Sequence, residues 1–145
     1  MTDKEYRDFR RRISKLGKKW LLMLGFRHWD TQVETSRHPD PEVSDCVGKA
    51  NTKWEYQKVT LTFYGPGLMK YTDKELEEVY VHECCHALVA ETRQWGYESI
   101  PKDKAEEGMK HEERVVTQLT NAILWTYRDG VKAGIKEGRD AANCG

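Results

Sequence analysis

The chain has 145 residues, 38% of them hydrophobic and 33% charged, with 24 Lys and Arg balanced by 24 Asp and Glu. That length fits one domain with a real core, and a net charge of zero excludes a general attraction to nucleic acid or to membrane surfaces. The opening residues are charged and the apolar run Trp20 to Leu24 is too short for a signal-peptide core or a membrane span, so the expectation is a cytoplasmic chain without a membrane partner.

Tyr6, Phe9, Ile13, Leu16 and Trp20 recur at three-to-four spacing and predict an amphipathic helix from Asp3 to Leu24, ended by Gly25. Its polar face is basic. Residues 1 to 28 carry nine Lys or Arg against three acids, whereas residues 71 to 115 carry twelve acids against six bases, so the two read as complementary solvated faces. An extended segment, Phe26 to Ser36, and a loop through His38-Pro39-Asp40-Pro41 come next. Runs rich in aromatic and β-branched residues predict strands over Val47 to Tyr56 and Lys58 to Tyr64, with alternation clearest at Val59, Leu61 and Phe63. Gly65-Pro66-Gly67 breaks the sheet.

The most informative stretch is His82-Glu83-Cys84-Cys85-His86, an H-E-x-x-H pattern. Thr72 followed by Glu75 is a capping-box start, and Leu76, Val79, Val81, Leu88 and Val89 recur at helical spacing through the motif. On a helix, residues four apart share a face, so both imidazoles can bind one zinc ion with Glu83 beside them. Cys84 and Cys85 occupy the unspecified positions and point away from the pair. With Cys46 and Cys144 they show no C-x-x-C spacing and read as reduced thiols.

Two histidines leave the site one protein ligand short of a catalytic zinc centre. A loop from Trp95 to Lys110 is expected to lead into a second helix bearing Lys110-His111-Glu112-Glu113-Arg114. There Val115, Leu119, Ala122, Ile123 and Thr126 cluster on one face, with Glu112 near its middle and Glu113 about 100° away. A carboxylate on an apolar stripe needs a cationic partner, so Glu112 is the expected third ligand, with Glu113 the alternative and His111 an outsider. Residues 1–130 read as one domain, and 131–145, with glycines at 130, 134, 138 and 145, as a frayed or disordered tail.

On these residues the chain resembles the gluzincins, the thermolysin-like zinc peptidases, and more narrowly their minimal single-domain members such as SprT-like, ImmA/IrrE-like and small phage-encoded proteins. The resemblance covers roughly residues 45 to 127 and is one of pattern outside the motif. It implies a minimal zincin fold of the α+β class: an N-terminal amphipathic helix, a small antiparallel sheet, the metal helix and the glutamate-bearing helix. It also implies His82 and His86 as metal ligands, Glu83 as general base, and Glu112 or Glu113 as the helical ligand. The substrate would be a peptide or protein added as a strand along the sheet edge, for which Val59 to Tyr64 is a candidate, unless that run is an interior strand.

The expected chemistry is amide hydrolysis by a zinc-activated water, with Glu83 taking its proton. The Asn-Glu-x-x-x-Ser-Asp stretch of thermolysin is missing, so the transition-state donor is open among His28, His38, Tyr64, Tyr71 and Tyr97. Two rival readings are a zinc-binding regulatory or partner-binding protein without proteolysis, and a DNA-associated protein in which Arg10-Arg11-Arg12 and Lys18-Lys19 dock on phosphates.

Overall fold

The structure, a computed structural model, describes residues 1–143, the side chains at 97, 98 and 133–143 apart. Helix α1 (Asp3–Met23) opens with a capping box between Thr2 and Glu5 and ends at Gly25, whose φ of 82° is the left-handed value glycine accepts without strain. Strand β1 (Asp30–Ser36) follows one 3₁₀ turn, and β2 (Gly48–Lys53) and β3 (Lys58–Tyr64) are joined by a tight connection with Gln57 in the left-handed region. A short helix α2 (Gly65–Leu68) then leads to α3 (Asp73–Leu88), α4 (Ala90–Ser99) and the long α5 (Ala105–Asn143).

The class is α+β, but the sheet is mixed rather than antiparallel, with order β1-β3-β2. β2 and β3 form the expected antiparallel pair, Gly48 opposite Phe63 and Thr52 opposite Val59. β1 lies on the other side of β3 and runs parallel to it, from Asp30 opposite Lys58 to Ser36 opposite Tyr64. The Pro-containing segment 37–47 is the reason: it is long enough to carry the chain across β3 before β2 begins, which a hairpin turn could not do. Lys58–Tyr64 is therefore the central strand and β2 an edge.

Alternate residues of β3, Val59, Leu61 and Phe63, are fully buried and meet Leu76, Tyr80, Val81 and Cys84 of α3, with Phe9, Ile13 and Trp20 of α1 in the same cluster. Phe63 and Tyr80 stack at 5.0 Å with 13° between their planes. Helix α3 is buried on most of its surface and holds the motif at the centre of the fold, with the Thr72–Glu75 capping box in place. Cys84 and Cys85 pack into this core as free thiols, whereas Leu88, counted with the apolar face, is 41% exposed. The basic face of α1 meets the acids of α3: Arg12 bonds Asp73 at 2.7 Å and Lys19 bonds Glu77 at 2.6 Å. Among the described residues no helix is long and apolar enough to cross a membrane.

One further expectation changes. The segment from Trp95 to Lys110 is mostly helical: α4 runs to Ser99, Ile100 is extended as a residue before proline should be, and α5 starts by Ala105. Helical backbone also continues through Gly130, Gly134 and Gly138 to Asn143. The side chains of the expected tail lie from 133 onward outside the described ones, as does Cys144.

The Tyr80 hydroxyl is buried and finds no hydrogen-bond partner among the described residues. Tyr80→Phe keeps the ring stacked on Phe63 and removes an unsatisfied polar atom, so it should stabilise the fold by roughly 1 kcal/mol. Thermal denaturation checks this, with a rise of a few degrees in the midpoint expected for a chain of this size.

Candidate metal centre

Helix geometry on α3 brings His82 and His86 one turn apart, and their Nε2 atoms are 3.1 Å from each other. From α5, Glu113 reaches across with Oε1 3.0 Å from His82 Nε2 and Oε2 3.4 Å from His86 Nε2. One nitrogen from each histidine and one Glu113 oxygen thus lie within 4.8 Å of one another. Ligands bonded to a tetrahedral zinc at about 2.0–2.2 Å stand roughly 3.3–3.5 Å apart, so this set of two imidazoles and a carboxylate fits the ion in type and nearly in spacing.

Glu112, the sequence's first choice, is at the same site in a different position. Its Oε1 is 2.9 Å from His86 Nδ1, on the ring edge away from the Nε2 pair, and only 13% of the side chain is exposed. With Nδ1 donating to Glu112, His86 presents an unprotonated Nε2. Arg93 of α4 in turn places Nη1 3.4 Å from the same Glu112 oxygen. The difference from the expected helix phase has a definite cause. Val116, Thr120 and Leu124 form the buried face of α5, while Val115 is 48% exposed and Ala122 is also outside. The true face is rotated by about 100° from the expected one, and Glu112 and Glu113 flank its centre. His111 is exposed and sits 3.0 Å from Arg114, apart from the pair.

Glu83 is buried, 7% exposed, although it is a carboxyl group. Burial raises its pKa to about 7, aided by the charge of Glu113 and opposed by His86. Burial also lowers the pKa of His82, against the pull of Glu113. At His86 burial acts in the same direction, but the bond to Glu112 and the surrounding carboxylates outweigh it and the net shift is upward.

These side chains line a cleft of about 780 Å³ walled by β2 on one side and α5 on the other. Val47, Gly48, Lys49 and Ala50 of the β2 region border it, with Arg93, Met109, Thr117 and Asn121 opposite or at its ends. None of the expected transition-state donors with a described side chain lines it. Tyr64 instead donates its hydroxyl to buried Asp40, His28, His38 and Tyr71 lie elsewhere, and the Tyr97 side chain is outside the described ones. Sequence reasoning missed Arg93 and Gly48. Arg93 gave no signal, standing in a presumed helix end, whereas a glycine inside a strand pattern is a sign of close backbone approach. No family model, curated protein or solved structure matches the chain.

Proposed function

We propose that this protein is a zinc-dependent metallopeptidase of the gluzincin type, with His82, His86 and Glu113 as metal ligands and Glu83 as general base. The observation that carries the reading is the convergence of two Nε2 atoms and the Glu113 carboxylate within 4.8 Å, at the floor of an open cleft. A structural zinc site is closed by four protein ligands, whereas three with a side open to the cleft is the hydrolytic pattern. When bound, zinc supplies Lewis acidity, lowering the pKa of a water and polarising the carbonyl to be attacked.

The chain's own residues do the rest. Glu83, beside the pair and held away from bulk water, accepts the proton of the attacking water and returns it to the leaving amine. Glu112 holds the His86 ring in one tautomer and orientation, and Arg93 steadies Glu112. β2 is an edge strand bordering the cleft, so an extended peptide can pair with its free side and lie across the ligands. This makes peptide the favoured substrate over a small molecule. The phosphate-docking alternative loses support because Arg11, Arg12 and Lys19 are paired with Asp8, Asp73 and Glu77.

The test is turnover of a quenched-fluorescence peptide library by the full chain before and after chelation. Cleavage should vanish with the metal and return with one equivalent of zinc. Cleavage indifferent to chelator would contradict the proposal. Full zinc loading without any cleavage would leave a zinc-binding regulator in its place.

A further inference from the structure

We infer that Gly48 is a positioning residue: the missing side chain at the first position of β2 is what lets Glu83 stand beside the histidine pair. Its consequence for turnover rests on the hydrolase reading above, while its steric part rests on packing alone. A Cβ built on Gly48 would lie 2.6 Å from Glu83 Oε1, 2.8 Å from Cγ and 2.9 Å from Cδ. All three distances fall well inside the roughly 3.5–4.0 Å at which carbon atoms pack. Because successive atoms of the side chain are struck, turning the carboxylate alone gives no relief. Either Glu83 leaves its seat or the strand moves.

The strand is the more firmly held of the two. Gly48 pairs opposite Phe63, the Tyr64 N–H donates to the Val47 carbonyl at 3.0 Å, and the Cys46 thiol donates to the Gly48 carbonyl at 2.8 Å. Just upstream, buried Asp40 accepts from the Glu42 and Val43 N–H groups, at 2.8 Å each, and from the Tyr64 hydroxyl. Conformation does not call for glycine here, since Gly25 is the one glycine in the left-handed region among the described residues. By intrinsic preference alone, alanine is the better strand residue. The glycine is there for space, and the Glu83 carboxylate fills that space.

The experiment places Gly48→Ala in the parent and in Glu83→Ala, using the full chain as purified, and reads zinc per chain, saturation kinetics and thermal midpoint. Gly48→Ala should keep the parent's zinc. It should lower kcat by about 10²-fold, the loss typical of a catalytic group displaced by an ångström, with little change in KM. The midpoint should fall by several degrees in the parent and hold or rise in Glu83→Ala, where the methyl group has room. A Gly48→Ala protein that folds only in the Glu83→Ala background gives the same support. Equal destabilisation in both backgrounds, or an unchanged kcat, overturns the inference. If the parent cleaves no peptide, the hydrolase reading fails and the thermal comparison still decides the steric claim.

Discussion

Glu83→Gln should abolish most turnover while leaving the metal in place. Glu83 is one residue from His82 and about 100° round the helix, so its carboxylate stands beside the pair rather than among the ligands. It is buried against Gly48, and in the chain without an ion burial lifts its pKa to about 7. Glutamine keeps the shape and the hydrogen-bonding capacity but cannot accept the proton. A fall in kcat of about 10²–10⁴-fold is expected, the range for loss of a general base. Elemental analysis and single-substrate kinetics on the same preparation check it. A variant that keeps both zinc and turnover removes Glu83 from the chemistry.

Glu113→Ala should weaken zinc binding more than Glu112→Ala, although sequence reasoning favoured the opposite order. Zinc held with about 10–16 kcal/mol by three or four ligands draws roughly 3–4 kcal/mol from each, so losing a ligand costs a factor of several hundred in affinity. Glu113 spans the two Nε2 atoms at 3.0 and 3.4 Å, whereas Glu112 touches His86 through Nδ1 at 2.9 Å. Removing a carboxylate that only orients a ligand costs about 10–100-fold. Competition with a chromogenic chelator measures both variants on one scale. Equal losses, or the larger loss at Glu112, would contradict this assignment of the two carboxylates.

The spacing points to Glu112, whereas Glu113 lies nearer both Nε2 atoms, and the difference traces to the phase of α5. The expected face of Val115, Leu119, Ala122, Ile123 and Thr126 puts Val115, Ala122 and Thr126 inside, yet all three are exposed, and it leaves out the buried Val116, Leu124 and Thr120, the last 4% exposed. The Thr120 hydroxyl donates to the Val116 carbonyl at 2.8 Å, so it enters the core with its hydrogen bond satisfied. Where the pattern had many apolar letters and a cap, it was readable: α1 from Asp3, β3 from Lys58 to Tyr64, and α3 from its Thr72–Glu75 box all lie where the spacing predicts.

The parallel pairing of β1 with β3 had no local signature, because strand direction depends on where the 37–47 segment crosses and not on the residues paired. Helix α4 was hidden for a different reason. Its residues, Ala90 to Ser99, carry Gly96 and two aromatics without a clear apolar stripe, and it is held by packing beside α3 and α5 rather than by amphipathic pattern.

The central claim is that His82, His86 and Glu113 hold a zinc ion with one side open to the β2 cleft. An anomalous difference map collected at the zinc edge from crystals of the full chain tests this most directly. The expected result is a single peak about 2.0–2.2 Å from both Nε2 atoms and a Glu113 oxygen, with no fourth protein ligand. A peak elsewhere, a fourth side chain closing the site, or no peak from zinc-saturated crystals would contradict it.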